Sequence, residues 1–167
     1  MEGRGAAVAP ALRRLPLQGE YLFTLAIRVD DPQPVGPGAD GRQLRIVPLA
    51  GGTVEGPALR GALLPGAGAD WLRVEADGTA EIDVRLTIRA ESGALVHVRY
   101  AGIRTGPPEV LAKLARGEAT DPSGYYFRVA MRFETADPVL AWLNRVLAVG
   151  VGQRPPEGAR YDVYRVL

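Results

Sequence analysis

Residues 81–104 read EIDVRLTIRAESGALVHVRYAGIR. Across the first nine, Glu81, Asp83, Arg85, Thr87 and Arg89 alternate with Ile82, Val84, Leu86 and Ile88. That period of two belongs to a β-strand with one polar and one apolar face. Glu91-Ser92-Gly93 closes a turn, and residues 95–104 return as the partner strand, so the stretch predicts a hairpin.

Working outward, residues 20–29 (EYLFTLAIRV) form a strand rich in aromatic and β-branched residues. Residues 30–41 (DDPQPVGPGADG) are too broken by proline and glycine for a helix and read as a loop. Residues 43–49 predict a short strand and Gly51-Gly52 a turn. Residues 53–64, with Gly56, Pro57 and Gly61, suit an edge or bend. Downstream, Pro107-Pro108 opens a helix over residues 109–116, ended by Gly117. A strand spans 125–134, Asp137 and Pro138 start a second short helix to about residue 145, and strands at 147–151 and 159–167 finish the chain. Eight or nine strands at hairpin spacing, with two short helices, predict an all-β antiparallel barrel or sandwich. A closed, calycin-like barrel removes the exposed edges that long strands would present. At about eight strands its interior is filled or holds one small ligand. Residues 1–16 are expected to be a loose N-terminal arm, and residues 17–167 a single domain.

Composition narrows the chemistry. The chain has 167 residues, 47% hydrophobic and 23% charged, which is globular rather than disordered. It has no cysteine, which excludes disulfides, thiolate catalysis and cysteine-bound zinc. A net charge of +1 argues against a nucleic-acid footprint. No long apolar stretch suggests a signal peptide or membrane helix, so a cytoplasmic protein is expected. His97 is the sole histidine and Ser92 and Ser123 are the only serines, all poorly placed for a Ser–His–Asp triad. One imidazole is also too few for an ordinary transition-metal site, so no metal or cofactor is expected. The Gly-x-Gly at 150–152 lacks the following helix of a dinucleotide fingerprint. Lys113, the only lysine, falls on a surface helix.

Carboxylates, arginines, phenols and tryptophans remain. Asp83 and Arg85 share one strand face; Tyr126, Arg128 and Glu134 share a face of another. Were both faces to point inward, an acid–base cluster would line an apolar-walled cavity, with Asp70, Trp71, Trp142 and Asn144 at its mouth. The competing reading is an outer wall facing water, as alternating polar faces usually do.

A set of short motifs runs in order along the chain. It comprises Gly51-Gly52-Thr53 with Gly56-Pro57, residues 64–71 (LPGAGADW), Asp83-Val84-Arg85, Gly117-Glu118, Asp121-Pro122, Tyr125-Tyr126-Phe127-Arg128, Phe133-Glu134-Thr135, Trp142-Leu143-Asn144 and residues 150–154. Over residues 20–167 this resembles the bacterial and fungal family catalogued as domain of unknown function 3237. The chain departs from the family pattern by one extra residue in PGAGADW, beside Asp70 and Trp71, by its Glu91-Ser92-Gly93 turn and by His97. The resemblance implies a single-domain β-barrel without an established common activity, and it concentrates motif residues on the polar strand faces.

The expectation is thus a cofactor-independent enzyme of the cyclase, isomerase or hydro-lyase type. Glu134, Asp70, Asp83 and Tyr126 are the candidate acids and bases, and Arg85, Arg128, Trp71, Trp142 and Asn144 the substrate contacts. Its partner would be a small apolar or aromatic ligand, with no nucleic acid or membrane, and a homodimer is admitted. The alternative is a non-catalytic barrel that carries a hydrophobic molecule.

Overall fold

In the hairpin of residues 81–104, β-branched and leucine side chains fill one face, and the pair forms as expected. Strand Ala80–Ala90 meets strand Leu95–Thr105 in unbroken antiparallel register from Ala80 opposite Arg104 to Arg89 opposite Leu95. The structure is a computed structural model that describes residues 13–167. Most of the expected N-terminal arm lies outside the described residues.

The strands in chain order are β1 (Gly19–Val29), β2 (Gln33–Pro37), β3 (Gln43–Glu55), β4 (Gly61–Leu63), β5 (Ala69–Val74), β6 (Ala80–Ala90), β7 (Leu95–Thr105), β8 (Tyr126–Glu134), β9 (Ala148–Gln153) and β10 (Gly158–Val166). Helix α1 (Pro108–Ala115) joins β7 to β8. Pairing runs β1–β10–β9–β8–β7–β6. β6 then meets β4 and β5, which follow one another along the same position and both pair with β3. β3 returns to β1 and closes an antiparallel barrel of eight positions, with β2 paired only to β3.

Several sequence expectations change here. β2 forms inside the proline- and glycine-rich segment expected to be a loop, as a short edge strand where proline costs no ladder bond. Gly51-Gly52 is not a turn. β3 runs through it and passes from β2 and β5 at one end to β1 and β4 at the other. A Cβ on Gly52 would sit 2.1 Å from the Ala26 carbonyl oxygen, so the bare backbone permits this close crossing. Asp137 Oδ1 accepts from the amides of Val139 and Leu140 at 2.9 Å each, capping a turn rather than the expected helix. Beyond this cap the chain makes only a 3-10 turn over Ala141–Arg145.

The barrel interior has two halves. Toward the β6–β7 turn it is packed solid by residues such as Phe23, Leu86, Ile88, Val96, Met131 and Phe133, each at most 3% exposed. Phe23 and Phe133 meet edge to face at 6.1 Å. Toward the α1 end, the rings of Tyr100, Phe127 and Tyr161 stack edge to face at 5.2 Å and form a floor. Gly150 and Gly152 on β9 make room for that floor. A Cβ on Gly152 would lie 2.6 Å from the Phe127 ring, and one on Gly150 3.2 Å from Tyr161. Above the floor the barrel is hollow.

Candidate active site

The hollow half encloses about 330 Å³. Its lining is mixed, with Ile27, Leu49, Leu72, Ile82, Val84 and Phe127 among the apolar residues. Asp30, Asp31 and Glu157, on the loops that follow β1 and β9, line the same space, as does Leu114 of α1. Asp70, Arg104 and Arg154 reach inside with the phenols of Tyr100 and Tyr161, and Arg45 of β3 also lines the space.

Strand parity places each of them. Asp70 shares its face of β5 with Leu72, and Trp71 points the other way. The β5–β6 ladder pairs Asp70 with Val84 and then Arg73 with Glu81, skipping Trp71 and Leu72. The Asp83 amide in this gap donates to Asp70 Oδ1 at 3.1 Å. One carboxyl oxygen is thereby fixed, and the second has no protein partner among the described residues. Burial pushes the Asp70 carboxyl up to about 7, against the Asp83 amide and the cations of Arg104 and Arg154, which favour the ionised form. Asp70 therefore exchanges its proton near neutral pH, the range in which a carboxyl serves as either acid or base.

Arg104 continues the inward parity of Val96, Val98 and Tyr100 on β7. Its guanidinium lies 5.6 Å from the centre of the Phe127 ring. Its Nε is buried without a hydrogen-bond partner. Burial lowers its pKa, and so does the like charge of Arg154. Arg154 extends the parity of Gly150 and Gly152 just beyond β9. It donates from Nη1 to the carbonyl oxygens of Pro155 and Gly158, while its backbone N–H donates to the Tyr125 hydroxyl at 2.8 Å. Tyr100 and Tyr161 are buried, and burial raises both phenols, so they stay protonated as potential donors.

The expected inward polar face is instead the outer wall. Ile82, Val84, Leu86 and Ile88 occupy the interior at 0–2% exposure, which turns Asp83, Arg85 and Thr87 outward. Burying a row of charges instead would cost several kcal/mol per ion, whereas four buried aliphatic side chains gain about 1.5–3 kcal/mol each. Asp83 and Arg85 pair there at 3.4 Å, and the Arg85 guanidinium covers the Trp71 ring at 5.5 Å. On β8, Phe127, Val129, Met131 and Phe133 face inward, so Tyr126, Arg128 and Glu134 lie outside as well. Arg128 sits 5.2 Å from the Tyr126 ring centre and donates to the Phe127 carbonyl oxygen at 2.8 Å. Glu134 is exposed beside His97. Trp142 and Asn144 lie at the packed end. Trp142 is stacked 5.4 Å from Arg165, and Asn144 bridges the backbone N–H and carbonyl of Thr135 at 2.9 Å each. Of the nine sequence candidates, the cavity takes in Asp70 and none of the other eight.

The sequence reading missed Arg104, Arg154, Tyr100 and Tyr161. The signal was a charged residue that closes an apolar parity, Val96-x-Val98-x-Tyr100-x-Gly102-x-Arg104, and it is visible once the apolar face is taken as the inner one.

Comparison with known proteins agrees with this architecture. The family described as protein of unknown function DUF3237 matches residues 17–166. The chain belongs to this family. A UPF0311 protein of Rhodopseudomonas palustris is 38% identical over 151 residues, covering 90% of this chain and 97% of the relative. A crystal structure described as a beta-barrel like protein from Acinetobacter baumannii superposes with a TM-score of 0.82 at 36% identity, covering 94% of this chain and 100% of that one. A structure described as an enzyme from Penicillium herquei has a TM-score of 0.70 at 22% identity over 95% of this chain and 100% of its own, a likeness of fold. Asp70, Arg104 and Arg154 all fall within the matched region. No helix among the described residues is long and apolar enough to cross a membrane.

Proposed function

We propose that this protein is a cofactor-independent enzyme of the cyclase, isomerase or hydro-lyase type, acting by acid–base catalysis on a small, mainly apolar metabolite held in the barrel. The observation that carries the reading is Asp70. It is a carboxyl fixed at one oxygen by the Asp83 amide, open at the other, and held near neutral pKa inside the barrel cavity. Its free oxygen takes a proton from an acidic C–H or O–H of the substrate and returns it at another atom. Tyr100 and Tyr161, protonated and beneath the same space, are positioned to donate to the oxygen on which negative charge develops. The fold shared with a protein described as an enzyme supports a catalytic use of the barrel.

The test is incubation with a panel of aromatic and polyketide-like hydroxy-enones in deuterated buffer, read by mass spectrometry. Expected products are isomers of equal mass, adducts or losses of one water, and solvent deuterium at the exchanged carbon. Asp70→Asn should lower the rate by about 10²-fold or more with the protein still folded. Equal rates in the two proteins would remove Asp70 from the chemistry. Tight binding without exchange or turnover would favour a carrier barrel.

A further inference from the structure

The acid–base reading leaves Arg104 unused. Its side chain makes no hydrogen bond and no ion pair among the described residues, and its Nε is sealed from solvent without a partner. A guanidinium carries five N–H donors in a rigid fork, and buried donors of folded proteins are ordinarily satisfied. Arg154 brings a second cation to the same cavity. Only its Nη1 is tied down, to two carbonyl oxygens, and no carboxylate pairs with it among the described residues. Burial pushes the Asp70 carboxyl up to about 7, and it forms no ion pair with either arginine. Asp30, Asp31, Glu157 and Arg45 also line the space, but none of them hydrogen-bonds or ion-pairs with Arg104, so its fork is left without a partner among the described residues.

We propose that the cavity binds the carboxylate of a small, otherwise apolar acid, with the Arg104 fork as its bidentate partner and Arg154 as the second cation. A planar carboxylate matches a planar fork through two parallel N–H···O bonds. With Asp70 ionised, Asp70 and the two arginines together carry one net positive charge, which a carboxylate neutralises and a phosphate dianion exceeds. Leu72, Ile82, Val84 and Phe127 receive the apolar body. The inference rests on the cavity being the ligand site proposed above, but on no reaction taking place there.

The experiment is calorimetric titration of the full chain with 1-naphthoate, 1-naphthamide and 1-naphthyl phosphate, which share one aromatic body. Naphthoate should bind about tenfold or more tighter than the amide, and tighter than the phosphate, because charge-assisted bonds exceed neutral ones. Arg104→Met should erase that preference while the amide affinity stays within about threefold, since the apolar contacts remain. If this variant does not fold, the ranking on the unaltered protein decides alone. Equal affinities for naphthoate and amide, or a preference that survives Arg104→Met, would overturn the carboxylate site and leave the cavity as a ligand site. A phosphate that binds tightest would overturn it in favour of a phosphorylated ligand. Binding of none of the three would overturn the site and the cavity reading together, and neither result depends on turnover by Asp70.

Discussion

Replacing Asp70 by asparagine should change how stability depends on pH, in a direction opposite to that of most buried-carboxylate substitutions. Asp70 has its pKa raised from 3.8 to about 7 by burial. Between those values the folded protein keeps a proton that the unfolded chain releases, so stability falls as pH rises through the window. The contribution is fully present below about pH 4 and lost above about pH 7. At about 1.4 kcal/mol per unit, the whole window amounts to at most about 4 kcal/mol, and the part between pH 5 and pH 7 to about 3 kcal/mol. Asparagine keeps the shape and can accept the Asp83 amide bond, but it has no proton to lose. Asp40, Asp77, Glu118 and Asp121 are all lowered by hydrogen bonds at the surface, so their contribution is lost only as pH falls toward their own values. They leave the range from pH 5 to 8 undisturbed. Urea unfolding of both proteins at pH 5 and pH 8 reads the difference directly. The variant should gain about 3 kcal/mol relative to the parent across that range, which for a domain of this size is roughly 6–12 °C in Tm. A constant gap between the two proteins from pH 5 to 8 would refute the claim that burial holds a proton on Asp70.

Other perturbations test the same geometry. Glu134→Gln, on the exposed outer wall, should shift stability by no more than about 0.5 kcal/mol in urea titration and leave any turnover unchanged. A large loss of rate would return the polar outer face to consideration. Gly152→Ala should cost about 1–3 kcal/mol, because its methyl would lie 2.6 Å from the Phe127 ring, which is held in a packed floor. A neutral change in Tm would show that the floor is looser than its contacts imply.

The hairpin was legible because alternation over Ala80–Ala90 is strict, and barrel closure because the strands return at hairpin spacing. The sign of that alternation was harder to read. Period two says that the two faces of β6 differ, not which one is enclosed. Motif residues gathered on the polar face drew the site outward, whereas the preference of Ile82, Val84, Leu86 and Ile88 for a dry interior decides it. Asp70 was found as a motif residue; Arg104 lies in no motif, and Arg154 closes the motif at 150–154 but was not singled out. They come from β7 and from the end of β9, distant in sequence, and meet only when the ring closes. β2 and β5 were hidden for a local reason. Each is short and bounded by turn-forming residues, and each acquires strand geometry by pairing with β3.

The two glycines on β9 have a further consequence for how this barrel can vary. At positions 150 and 152 that strand supplies main chain and no bulk, so the depth of the chamber is set by the rings of Tyr161 and Phe127 leaning across from neighbouring strands. Chamber depth and ring closure therefore reside on separate sets of atoms. Trimming an aromatic ring would deepen the chamber, and enlarging a glycine would push the floor toward the mouth, in either case without altering a ladder bond or moving Asp70. One backbone can in this way accommodate ligands of different length while Asp70 stays in place.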